Sequence, residues 1–239
     1  MSVARRAVKL VALRNGSKSS GNASMVRIYG HPFSSFTWKA LIALYERGVP
    51  FEFMMIENAA FVARAAPTGQ FPVLVDGDRA VIESAAIIEY LDLHHGSAPP
   101  LVPADPRAAV EARQMDGVFD DYLMLTLQRM VSNALRPEDK RDPHVEAEVQ
   151  AALDKSYAWL DRWMTGRTWA ANETFGLADC AAAPALFYAH WAFPIPASHA
   201  ALNAYRARLL ARPSIARVVD EARPWREYFP LKGRGGSPD

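Results

Sequence analysis

The chain has 239 residues, 50% hydrophobic and 22% charged, which suits one large domain or two small ones with real cores. Its 27 basic and 26 acidic residues leave a formal charge of +1, which excludes the basic excess of a nucleic-acid binder. No apolar stretch approaches the length of a membrane span, and a single cysteine, Cys180, excludes an internal disulfide, a Cys-x-x-Cys redox pair and a four-cysteine zinc site, pointing to a reducing, cytoplasmic setting.

Residues 1–24 hold Arg5, Arg6, Lys9, Arg14 and Lys18 and no acid. They read as a disordered extension, with a transit-like arm as the alternative. Alternation over 25–29 predicts a strand, and 30–35 a turn and loop. Trp38, Leu41, Ile42 and Tyr45 follow the i, i+3, i+4, i+7 spacing of a helix over 38–47, which Gly48 ends. An apolar strand follows over 51–56. This is a β-α-β unit, so its strands are expected to be parallel.

A looser segment, 57–70, has room for one short helix. Apolar runs at 71–75 and 80–82 flank Asp76-Gly77, a hairpin signal. Glu83 and Ser84 open a helix whose Ile87, Ile88 and Leu91 share a face, ending near His95 and Gly96. Pro99, Pro100, Pro103 and Pro106 forbid a helix through 97–106, the expected linker. Helical patterns then cover 107–134, 145–165, 177–192 and 200–211, with a short helix after Pro213. Residues 231–239 read as a flexible tail. The expected architecture is an α/β domain over 25–96 and an all-α domain over 107–230. The six histidines are scattered, none with His-Glu-x-x-His spacing. His94 and His95 read as helix-end residues, and no metal is expected.

Pro32-Phe33-Ser34-Ser35-Phe36-Thr37-Trp38-Lys39, followed by Leu41, Ile42, Ala43 and Leu44, resembles the first loop and helix of serine-type glutathione transferases. Phe71-Pro72-Val73-Leu74 is similar to their cis-proline strand, and Glu83-Ser84 to the start of the helix after the hairpin. Phe175-Gly176-Leu177-Ala178-Asp179 resembles the capping motif of a buried helix in their second half. The set runs in family order and spacing from about Met25 to Tyr228, nearest in character to bacterial cytosolic members. The resemblance implies a thioredoxin-like N-terminal domain that binds glutathione as co-substrate, then an all-helical domain. It also implies a homodimer, a small hydrophobic electrophile as second substrate, and a role in detoxification.

The chemistry fits those residues. Glutathione is an anionic tripeptide whose thiol, with a pKa near 8.5, attacks as the thiolate. A hydroxyl donor at a helix N-terminus stabilises that anion. Ser34 and Ser35 both sit where this donor is needed; family alignment favours Ser34, and loop length leaves Ser35 open. Either could also simply cap the helix. With no cysteine in this loop, the thiol must come from the bound substrate.

The resemblance implies that Phe71, before a cis Pro72, pairs its main chain with the cysteinyl part of glutathione; Pro72 could also be a plain edge-strand proline. Ser84 at a helix N-terminus suits the γ-glutamyl carboxylate, with Glu83 facing the α-ammonium and Gln70 toward the glycyl end. Phe33 and Tyr122 are candidate walls of the second-substrate pocket. Asp179 is expected to be structural, bonding back to the N–H of Gly176, which as a cap supplies no side-chain acceptor. An isomerase, dehalogenase or peroxidase would use the same thiolate, and a non-catalytic binding module would keep the fold.

Overall fold

The structure, a computed structural model, describes residues 25–56, 59–96 and 98–235. The expectations for residues 1–24, and for the tail from 236 onward, lie outside these.

Strand β1 is Val26–Gly30, with Val26, Ile28 and Gly30 buried and Arg27 and Tyr29 half-buried. Helix α1, Ser35–Glu46, starts three residues before the apolar spacing predicts, because Ser34 caps it by accepting the Thr37 N–H. Strand β2, Phe51–Met55, pairs parallel with β1 as the β-α-β order requires. A short α2, Ala59–Ala65, leads to the hairpin of β3, Val73–Asp76, and β4, Arg79–Val81. Its two-residue loop begins with Gly77 at φ +61°, a conformation glycine adopts without steric cost. The sheet order is β2-β1-β3-β4, with β3 antiparallel to β1. Helix α3, Ser84–His94, closes this half.

Helix α4, Pro106–Gly117, is capped by Asp105. It continues through a π-helical stretch, Val118–Met124, into α5, Leu125–Ala134. The sequence predicts one regular helix over 107–134. The run is helical throughout, but the N–H of Leu125 bonds five residues back to Asp120, a change of winding that apolar spacing does not register. Helices α6, Val145–Met164, α7, Leu177–Ala192, α8, Ala200–Leu210, and α9, Pro213–Ala222, follow, then a 3₁₀ turn, Arg223–Tyr228. Helix α7 is buried along nearly all its length and packs on α1 and α4. One apolar cluster runs through both halves, joining Ile28, Trp38 and Leu44 to Phe119, Leu153 and Leu186.

Gly176 caps α7 without a side-chain hydrogen bond, as the sequence reading expects, and the structure adds a reason for the glycine: a Cβ there would lie 2.6 Å from the Leu101 carbonyl oxygen. Only glycine lets the proline-rich segment pass that close, and the Leu101 carbonyl accepts the Leu177 N–H at 2.9 Å. That bond satisfies the first of the free N–H groups at the start of α7. Asp179 accepts from the Gly176 N–H at 2.9 Å, the Ala170 N–H at 3.0 Å and the Tyr205 hydroxyl at 2.5 Å. It ties three segments together and is fully buried.

Candidate functional site

A cleft of about 740 Å³ is lined from both halves of the chain. The sheet half contributes Phe33, Ser34, Ser35, Gln70, Phe71, Pro72, Glu83 and Ser84. Every site residue expected from sequence is therefore on its wall except Tyr122. That side chain is 61% exposed, while its neighbours Asp121, Met124 and Leu125 line the cleft in its place.

The loop before α1 is fixed from several directions. The Phe33 N–H donates to His31 Nδ1 at 3.1 Å, Trp38 Nε1–H to the Pro32 carbonyl at 2.6 Å, and the Tyr188 hydroxyl to the Phe33 carbonyl at 3.0 Å. His31 packs edge-on against Trp225, and Phe33 against Tyr188. Ser34 Oγ accepts the Thr37 N–H at 3.3 Å. A hydroxyl has one proton and two acceptor lone pairs, so capping and donation into the cleft do not compete. Ser35, the first residue of α1, is buried beside it.

The Phe71–Pro72 peptide is cis. Pairing of β3 with β1 ends at Val73 opposite Tyr29, so the Phe71 main chain lies beyond the ladder, at the cleft. Helix α3 begins there too, with Ser84 buried as its first residue. The positive ends of α1 and α3 thus both open on this space, which favours an anion. Glu83 caps α3 at φ +68°, a left-handed conformation that costs a non-glycine residue about 1–3 kcal/mol. Its carboxylate makes no cap hydrogen bond and lines the cleft.

The opposite wall carries groups the sequence reading did not find. Lys39, in α1, has no exposed surface, and its Nζ lies 2.6 Å from both Asp116 Oδ1 and Asp120 Oδ2. Burial pushes the Asp116 carboxyl up to about 6 against the pull of Lys39, and moves Asp120 the same way. Burial acts to lower the Lys39 pKa, but the two carboxylates overcome it and hold the ammonium protonated. Asp120 and Asp121 both reach the cleft. The available signal was a lone lysine inside the apolar run from Trp38 to Leu44, together with two aspartates four residues apart on a later helix. Cys180 is fully buried, and burial pushes its thiol up, so it takes no part in this site.

The chain matches the glutathione S-transferase N-terminal domain over residues 28–100 and the glutathione S-transferase C-terminal domain over 121–213. It is similar to the structure of a glutathione S-transferase from Methylobacterium radiotolerans in complex with glutathione sulfonate. The two are 31% identical with a TM-score of 0.69, over 82% of this chain and 94% of that one. A glutathione S-transferase from Methylobacillus flagellatus with GSH bound shares the fold, with a TM-score of 0.74 at 24% identity over 81% of this chain and 98% of that one. A stringent starvation protein A homolog from Coxiella burnetii is 27% identical over 69% of this chain and 76% of its own length.

Proposed function

The chain belongs to the glutathione S-transferase family, and from that premise we propose that it ionises the thiol of glutathione and directs the thiolate at a hydrophobic electrophile. One observation carries this reading. The Ser34 hydroxyl accepts a backbone N–H as a cap and so keeps its proton for a donor role, in the same cleft where α3 presents its N-terminus through Ser84.

In this reading Ser34 donates to the sulfur, and its bond is stronger to the thiolate than to the thiol. Ser35 supports the loop as the first residue of α1. The Phe71 main chain pairs with the cysteinyl part. Ser84 and the amides of α3 hold the γ-glutamyl carboxylate, Glu83 faces the α-ammonium, and Gln70 faces the glycyl end. Phe33 forms part of the second-substrate wall. The domains are taken as 25–96 and 107–230 with a linker between, and the assembly as a homodimer, which sedimentation at twice the monomer mass checks.

The test compares three variants. Ser34→Ala raises the pKa of bound glutathione and slows conjugation by one to several powers of ten, each about 1.4 kcal/mol, with glutathione affinity nearly unchanged. Ser34→Thr, which keeps cap and donor, retains most of the rate. Ser84→Ala weakens glutathione binding with a smaller effect at saturation. Thiolate absorbance against pH and steady-state rates read all three. A rate lost in Ser35→Ala but kept in Ser34→Ala moves the donor one residue along. A non-catalytic binding module on the same fold is the second reading, favoured by a relative whose name states no transferase activity, the stringent starvation protein A homolog. No turnover with haloarene, haloalkane or peroxide despite tight glutathione binding selects it.

A further inference from the structure

We propose that the cleft reads the γ-glutamyl end of its thiol by charge and leaves the glycyl carboxylate unread, so that γ-glutamyl thiols whose C-terminal carboxylate is amidated, esterified or extended are accepted as well as glutathione is; this rests on the glutathione reading above. The wall is charged at one end only. Glu83, Asp120 and Asp121 all line it, and the Asp120 carboxyl feels the negative charge of both the others, so the three stand as one group at the start of α3. Lys39 answers only part of that charge, since Asp116 and Asp120 share it. The Glu83 carboxylate makes no cap hydrogen bond. A ligand ammonium placed among these carboxylates relieves their repulsion, while Ser84 and the α3 amides take a carboxylate beside it. The amino-acid end of a γ-glutamyl group carries those two charges side by side.

The other end is built differently. From Phe71 the wall runs back through Gln70, Gly69, Thr68 and Pro67 to Ala66, just past the C-terminus of α2, and none of these side chains ionises. The two helix N-termini that open on the cleft serve other anions, α1 the sulfur and α3 the γ-glutamyl carboxylate. Among the described residues, no lysine, arginine or histidine lines the cleft. Arg64, in the last turn of α2, is exposed and off the wall. Pro67, Thr68 and Gln70 are exposed too, so a carboxylate here keeps its water and gains little from the protein. For the same reason a larger C-terminal group passes out to solvent instead of meeting the wall.

The experiment uses the full chain and titration calorimetry. S-methylglutathione is the reference ligand, because it keeps thiol ionisation out of the comparison. Its glycyl ethyl ester removes one carboxylate, and its glutaryl analogue removes the α-ammonium. The ester is expected to bind within about twofold of the reference, and the glutaryl analogue about thirtyfold more weakly. Gln70→Lys supplies a cation at the glycyl end and shifts the preference about fivefold toward the free carboxylate. Arg64→Ala leaves the ratio of ester to reference unchanged. In wild type, a preference of about fivefold or more for the reference over its ester overturns the proposal. So does a change of that ratio in Arg64→Ala, its constancy in Gln70→Lys, or equal binding of the glutaryl analogue. Failure of all three ligands to bind is a separate result: it sinks the glutathione reading, and this proposal with it.

Discussion

His31 shows how much of the site depends on a residue that makes no contact with sulfur in the proposed reaction. Its Nδ1 accepts the Phe33 N–H, one residue before Ser34, so the ring must be neutral for the loop to hold. Burial lowers its pKa from 6.5, which keeps that acceptor. The folded state binds this proton less readily than the unfolded chain. The stabilisation is therefore present above about pH 6.5 and is lost as pH falls through the lowered folded value. His31→Phe keeps a ring against Trp225 but removes the acceptor, and we expect kcat to fall several-fold with little change in KM for glutathione. His31→Asn, which restores an acceptor to the turn, recovers most of the rate. Equal rates in wild type and His31→Phe would show that the loop needs no such bond. Ser34 and Ser84 were legible in the sequence because hydroxyls just before or at a helix start are local signals. His31 was not, because its role depends on the fold of the loop around it.

At the scale of elements, α1 carries most of the ties between the two halves. Lys39 meets Asp116 and Asp120; Glu46 accepts from Arg212 at 2.6 Å and 2.7 Å and from Ser214; Tyr45 donates to Glu221 at 2.7 Å. Arg47 donates to the carbonyls of Ala98 and Pro99, and Asp92 of α3 accepts the N–H groups of Leu101 and Val102. The proline-rich segment read as a linker is therefore fastened along its length. Lys39→Met leaves the buried Asp116 and the half-buried Asp120 with no cation, and we expect a loss of about 3 kcal/mol, read by urea unfolding. Adding Asp116→Asn removes one of those charges and should recover part of the loss; a double variant no more stable than the single would sink the ion-triad account. Strand pairing and the hairpin were legible because period and turn chemistry are local. The charged ties were not, since Lys39 and Asp120 are 81 residues apart and meet only on folding. Gly176 belongs with them, its reason being the Leu101 carbonyl across the chain.

For the whole molecule, the order of strands and helices describes two units, but the energetics describe one. The apolar cluster passes without interruption from Ile28 through Trp38 and Leu44 to Leu186, Phe119 and Leu153. Helix α1 is buried against the sheet half on one side and α7 on the other. Unfolding either half alone would strip apolar surface from the other, at about 25 cal/mol for each Å² exposed. It would also leave Lys39 and Arg47, both buried, without their partners. Opening one half first thus approaches the cost of opening both. We expect amide hydrogens of β1 and of α7 to exchange by the same global opening, with equal free energies, and unfolding followed by fluorescence and by circular dichroism to coincide. Removing a single peripheral tie, as in Tyr45→Phe, lowers the midpoint without splitting the transition, because the apolar cluster still spans the halves. A sheet that exchanges more than about 1.4 kcal/mol, or tenfold, more readily than α7 would mean that the halves open separately. The cleft, whose two walls come from opposite halves, would then have no fixed width.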